Sequence, residues 1–361
     1  MNFSLVSDGN DPFRKDITES ILKECLRHGH HVSDSSNDIR FVLNSTDAHH
    51  PRAGRRRSRS VFIVSLVTAD GSVEDMRAFC YTALIRTLSN LLICVRKNGK
   101  PTPEVYFTTP EAGFYHYPFD PERVYRSMMP IAGAHYAIEN RFETDLPERL
   151  WRGSDVVEQI KHYGAELDRL GVLPTPFPLR ELLSGHDMRH LYKIYGITGL
   201  SYGNLSARER IPELGETTFW MTGRGIDKSH ISTVGRDVLL VRDFDHAAGT
   251  AILSMPREYD PRTRVSVDAV EHALIYKTYP AVSAIVHVHA WIEGVLCTRQ
   301  NYPCGTQELA EEVVALLEKT GSPERTVVGL KNHGLTITGP SLEEIFERIR
   351  GRLLPEVPMF A

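Results

Sequence analysis

The chain has 361 residues, 41% of them apolar, enough to build two ordinary domains with their own cores. Its formal net charge of −4 provides no global field for nucleic acid or acidic membranes. No apolar run reaches membrane-spanning length, and the five cysteines show no Cys-x-x-Cys spacing, which points to a reducing, cytoplasmic setting. The residues from Met1 to Asp8 lack a basic stretch followed by an apolar core, so they do not read as a secretory signal.

In chain order, Phe3 to Val6 reads as a short strand and Ile17 to His28 as an amphipathic helix carrying Ile17, Ile21, Cys25 and Leu26 on one stripe. Asp38 to Leu43 and Val61 to Val67 read as strands, the second almost continuously apolar and therefore central. Met76 to Val95 reads as helical and Glu104 to Thr108 as another strand. Strands alternating with helices predict a separate α/β domain with a layered, partly parallel sheet. Ser7 to Asn10 reads as a plain turn, and without a Gly-x-Gly-x-x-Gly after the first strand a dinucleotide fold is not expected. The basic run from Arg52 to Arg59 has no interleaved aromatic residues and reads as a solvated loop, so nucleic acid is disfavoured. Ser154 to Leu170 predicts a helix, and Val172 to Pro178 a semi-rigid connection. These readings predict an α/β domain of unknown role over 1–172, a Pro-rich linker over 173–180 and a second domain over 181–361.

The second half carries the chemistry. Ala284, Ile285 and Val286 form a buried-strand pattern that runs into His287-Val288-His289. Side chains at i and i+2 of a strand share a face, so both imidazoles converge, and His333 supplies a third. Three imidazoles with an open position are the arrangement of a catalytic divalent metal. Neutral imidazole suits zinc, iron, manganese and cobalt alike. Backbone amides at Gly203-Asn204 and Thr222-Gly223, with hydroxyls of Ser206, Thr222 and Ser266, can cradle an anion, although Thr222-Gly223 also fits an ordinary turn. Asp268 precedes the helical pattern Val270, Ala273, Leu274, Lys277 and fits either an N-cap or a catalytic carboxylate. His272, one turn further, is placed to orient Asp268 or to fill the core.

Taken together, Gly199 to Arg208, Trp220 to Gly225, Ser266 to His272, Tyr276, Pro280, His287-Val288-His289, Gly305 to Ala310 and Asn332-His333-Gly334 resemble the class II aldolase/adducin family over about residues 186–355. The resemblance implies an α/β domain with a mainly antiparallel central sheet flanked by helices. It implies that His287, His289 and His333 hold a divalent ion, zinc first among zinc, iron, manganese and cobalt. Asp268 would act in proton transfer or complete the coordination. Gly203, Asn204, Thr222, Gly223 and Ser266 would grip a small hydroxy-carbonyl or sugar-phosphate-like substrate. The implied activity is that of a lyase or isomerase working through an enediolate, in a homo-oligomer with a tetramer favoured.

Three departures qualify the likeness. Asp268 stands where the aldolases have glutamate, as in the pentulose-phosphate 4-epimerase branch, withdrawing the carboxylate by roughly 1.5 Å. Val267 replaces the second of two serines, and the connection from Trp291 to Cys304 is short, leaving Tyr302 as its one tyrosine. The weakened proton-delivery parts keep two other readings open: a non-haem iron(II) oxygenase on the same fold, and a non-catalytic adducin-like scaffold.

Overall fold

The computed structural model describes residues 1–33, 38–54, 61–111, 113–173, 179–189 and 202–360. The basic residues Arg55–Arg59, Pro174–Pro178 of the Pro-rich linker, and Gly199–Ser201 of the motif before Gly203 lie outside them. The chain divides into two compact units, one of Met1–Ala134 with Pro178–Tyr195 and Met359–Ala361, the other of His135–Phe177 with Gly196–Pro358. The second unit therefore takes in a strand and a helix that precede the Pro-rich segment expected to divide the domains.

The first unit holds strands β1 (Asn2–Ser7), β2 (His31–Val32), β3 (Ile39–Ser45), β4 (Phe62–Ala69), β5 (Leu91–Arg96), β6 (Glu104–Thr108) and β7 (Phe114–Pro118). Their order is β2-β1-β3-β4-β5-β6-β7. Pairs up to β4–β5 are parallel, and β5–β6 and β6–β7 are antiparallel. Helix α1 (Pro12–Arg27) starts at Asp11, whose carboxylate accepts the Phe13 amide. Helices α2 (Met76–Thr87) and α3 (Pro121–Ala132) follow, and a short helical turn over Leu179–Leu182 also belongs to this unit. The helix expected over Met76–Val95 is corrected here: Leu88, at φ 58°, turns left-handed and ends it. Leu91 to Val95 then form a strand buried throughout, because this β-rich apolar run pairs between β4 and β6.

The second unit contains β8 (Glu139–Glu143), α4 (Asp155–Arg169), β9 (Asn204–Arg208), β10 (Phe219–Thr222), β11 (Val238–Asp245) and β12 (Thr250–Ser254). It continues with α5 (Ala269–Thr278), β13 (Ala284–Val288), β14 (Leu296–Cys297), α6 (Gln307–Lys319), β15 (Val327–Leu330), β16 (Gly334–Gly339) and α7 (Leu342–Ile349). The sheet order is β14-β15-β16-β13-β9-β10-β11-β12-β8. Only the outermost pairs, β14–β15 and β12–β8, are parallel, so the sheet is mainly antiparallel.

Ile285 joins the core formed with α5 and α6, including Tyr276 and Val313. Gly339, paired with Ala284, faces Ile345 of α7, so successive residues of β13 serve opposite faces and helices cover both. That alternation puts His287 on the Ile285 face, the side on which α5 begins. No helix among the described residues is long and apolar enough to cross a membrane.

Ile337 is fully buried opposite Val286, the residue before His287. Ile337→Ala is expected to cost about 2–5 kcal/mol. Chemical denaturation should show a lower midpoint with an unchanged slope.

Candidate metal centre

β13 is a central strand, with β9 on one side and β16 on the other. Both neighbours approach it where a side chain cannot fit. A Cβ at Gly203, which has φ +77°, would lie 2.3 Å from the His287 carbonyl oxygen. One at Gly334 would lie 2.2 Å from that of Val288. His333 sits in the turn from β15 to β16, next to Asn332 at φ 58°, a left-handed position that asparagine tolerates. This turn brings the third imidazole over the end of β13.

The ring centroids form a near-equilateral triangle: 5.1 Å between His287 and His289, 4.8 Å between His287 and His333, and 4.7 Å between His289 and His333. His333 Nε2 is 3.1 Å from His289 Nε2. His287 Nδ1 donates to the Leu335 carbonyl at 3.0 Å, which fixes its tautomer and leaves Nε2 as a lone-pair donor. That Nε2 is buried and meets no hydrogen-bond partner among the described residues, and the same holds for His289 Nδ1. Burial pulls all three histidines below their ordinary pKa, and for His289 and His333 the neighbouring imidazoles add to the effect. A neutral, buried set of converging nitrogens is a donor set that a divalent ion fits.

Asp268 stands at the N-cap of α5, yet its side chain caps nothing. Oδ2 instead accepts from Asn204 Nδ2 at 2.6 Å, while Asp268 Oδ1 and Asn204 Oδ1 are both buried without a protein donor. The carboxylate is thus positioned and half uncommitted. A donor atom of Asp268 lies within 4.8 Å of one from His287 and one from Cys304.

The expected anion cradle is more restricted than the sequence suggested. The Gly223 amide donates to the Asp237 carbonyl at 2.8 Å, and the Ser266 amide to the Thr222 carbonyl at 3.2 Å. Thr222 Oγ1 accepts from the Leu205 amide, and Thr222 is fully buried. Gly223 and Thr222 therefore brace the strand ends, and the amide of Asn204's side chain serves Asp268. Ser206 is corrected as well: its hydroxyl lies 2.7 Å from both His272 Nδ1 and Tyr276 Oη, beneath the sheet surface. His272 consequently orients Ser206 and not Asp268, and burial, with the nearby His287, pulls it down to about 3. Tyr302 packs against the α5–α6 core.

Three residues that motif reading passed over surround the site. Lys228, on a 3-10 turn (Lys228–His230), is buried, and desolvation pulls its ammonium down to about 8 against the opposing charges of Asp268 and Asp227. Glu271 accepts from Thr336 Oγ1 at 2.7 Å, and burial followed by the charge of Asp268 pushes it up to about 8. Cys304 places Sγ 3.1 Å from His333 Nε2. None of the three has a spacing that marks it in the sequence, because each arrives from a different loop or helix turn.

Residues 187–301 match the family model for the Class II Aldolase and Adducin N-terminal domain. This segment, less than half of the chain, contains Asp268, His287 and His289, with His333 beyond it. The chain is 31% identical over 118 residues to Decarboxylase tropJ of Talaromyces stipitatus, a match that covers 33% of this chain and 38% of that protein. Among solved structures, an L-fuculose 1-phosphate aldolase is similar at 20% identity and a TM-score of 0.37, over 54% of this chain and 80% of that one. A sugar-phosphate aldolase from Thermotoga maritima is similar at 14% identity and a TM-score of 0.36, over 54% of this chain and 90% of that one. Over residues 187–301 the family match agrees with the motif order read from the sequence.

The loop that holds Gly223 depends on Asp237. Burial raises this carboxyl, but the Arg236 guanidinium and the Thr233 and Ser232 amides outweigh it and hold Asp237 down to about 2. Because the folded-state value lies below the ordinary 3.8, the stabilisation is present above pH 3.8 and is lost as pH falls towards 2. Asp237→Asn is expected to lower the thermal midpoint at neutral pH and to flatten the acid limb of its pH dependence, as followed by circular dichroism.

Proposed function

We propose that the second unit is a divalent-metal-dependent carbon–carbon lyase acting on a small hydroxy-carbonyl or oxo-acid substrate, with or without a phosphate. The observation that carries this reading is the meeting of three buried, neutral imidazoles with a carboxylate whose second oxygen is uncommitted. His287, His289 and His333 would hold the ion, zinc first, with iron, manganese and cobalt as alternatives. A divalent ion held there supplies a Lewis acid that draws negative charge onto a substrate carbonyl oxygen.

The protein's own groups handle orientation and protons. Asn204 Nδ2 fixes the Asp268 carboxylate by one oxygen, so Oδ1 keeps a defined direction. Asp268 Oδ1 and Asn204 Oδ1 form a pair of acceptors without donors, which suits a substrate hydroxyl. In aldol cleavage Asp268 takes the proton of that hydroxyl, the carbon–carbon bond breaks, and its electron pair moves towards the neighbouring carbonyl. The same proton then returns to carbon. Decarboxylation leaves the same electron pair beside a carbonyl and needs the same proton return, so the similarity to a decarboxylase supports the wider lyase class. Lys228 adds buried positive charge, felt by His287 and His289. Asn204 would meet the substrate through its uncommitted Oδ1, with Gly203, Thr222, Gly223 and Ser266 bracing the backbone around it. The family resemblance also supports a homo-oligomer, with a tetramer favoured, and the cysteine usage a cytoplasmic location.

Wild-type protein loaded with zinc should retain one ion per chain after desalting, whereas the His287→Ala/His289→Ala protein should retain none by elemental analysis. Stoichiometric metal in the double variant would overturn the site. With a substrate found by screening hydroxy- and oxo-acids for carbonyl products and carbon dioxide, Asp268→Asn should keep its metal and lose roughly 10²–10⁴-fold in kcat. Turnover that requires iron and oxygen and is absent anaerobically with zinc would instead support the oxygenase reading.

A further inference from the structure

We propose that the Cys304 thiolate is a fourth protein ligand to the ion held by His287, His289 and His333, an inference that rests on the metal site proposed above. Cys304 lies in the connection from β14 to α6, two residues before Thr306. The Thr306 side chain accepts the Leu309 amide and caps α6, and its hydroxyl also bonds the Pro303 carbonyl at 2.7 Å. On the other flank Gly305 receives the Ala137 amide at 2.8 Å. The backbone around the thiol is therefore fixed on both sides, and the residue is 9% exposed.

Its sulfur is 3.1 Å from His333 Nε2 and 3.8 Å from Nδ1. The same His333 Nε2 also faces His289 Nε2 at 3.1 Å. His333 Nε2 thus has two ligand-type neighbours, His289 Nε2 and Cys304 Sγ, at distances close to those between ligands of one ion. His287 Nε2, 2% exposed at the residue level, stands by without a protein partner, and a donor atom of Cys304 lies within 4.8 Å of one on His287 and one on Asp268. Zinc–nitrogen and zinc–sulfur bonds of about 2.0–2.1 and 2.3 Å put the ligand atoms of a tetrahedral site roughly 3.3–3.6 Å apart. The Cys304–His333 and His289–His333 separations of 3.1 Å lie just inside that spacing.

On coordination the S–H bond breaks, sulfur keeps the electron pair that it shares with the ion, and the proton leaves to solvent. With an ion bound, His287, His289, His333 and Cys304 would supply three nitrogens and one sulfur, and a substrate oxygen would need the thiolate to yield its place or a further coordination position. The short connection after His289 thus brings a ligand of its own to the site.

Cobalt(II) loading of the full chain tests this, because a thiolate ligand gives a near-ultraviolet sulfur-to-cobalt charge-transfer band that imidazole and carboxylate do not. The expected result is one cobalt per chain with that band in the wild type. The band should disappear in Cys304→Ser with cobalt still bound, and zinc affinity should fall by at least the roughly 10–100-fold that loss of an outer partner costs. X-ray absorption of the zinc-loaded wild type should find one sulfur scatterer, a readout independent of whether the variant folds. One cobalt per chain without the band would overturn the thiolate ligand and leave the three-histidine centre standing. A band that persists in Cys304→Ser would assign the sulfur to another cysteine and overturn the proposal. Failure of the wild type to bind cobalt or zinc would overturn both readings.

Discussion

Two imidazole nitrogens 3.1 Å apart in a buried setting, with a thiol sulfur at the same distance from one of them, bring three metal-ligating atoms together. Burial keeps the rings neutral, which leaves each imidazole one ring nitrogen with a lone pair. Leaving a buried polar atom unpaired costs on the order of 1–3 kcal/mol, and the site holds several. The rest of the second unit is arranged around that convergence. Gly203 and Gly334 let β9 and β16 close on β13, the His287–Leu335 bond sets a tautomer, and the Asn204–Asp268 bond aims a carboxylate.

Stability and function are coupled through the sheet. The strand that carries His287 and leads into His289 is bonded on both sides and packed on both faces, so one ligand sits in a well-protected part of the unit and the next at its end. The outer ring of the site is drawn from strand ends and helix starts: Asp268 before α5, Lys228 on its turn, Cys304 before α6. Such positions tolerate change better than the strand does.

Much of this was legible in the sequence, for identifiable reasons. Residues two apart on a strand must share a face, so His287 and His289 announced themselves, and the motif order placed His333 and Asp268 with them. The helix over Met76–Val95 misled because Met76 to Ile85 and Leu91 to Val95 are both apolar. The break between them rests on the left-handed turn at Leu88, which carries no glycine to mark it. The anion cradle was overread because an amide's availability depends on its partner across the sheet. Gly223 and Ser206 are committed to Asp237 and to the His272–Tyr276 pair, which no spacing reveals. Lys228, Glu271 and Cys304 escaped notice because tertiary packing alone brings them to the histidines.

The central claim is that the three histidines share one divalent ion. Anomalous diffraction at the zinc edge from zinc-loaded crystals tests it most directly. A single peak within about 2.0–2.1 Å of a ring nitrogen from each of His287, His289 and His333 is the predicted result. Stoichiometric zinc with its peak elsewhere, and no density among these rings, would contradict the account.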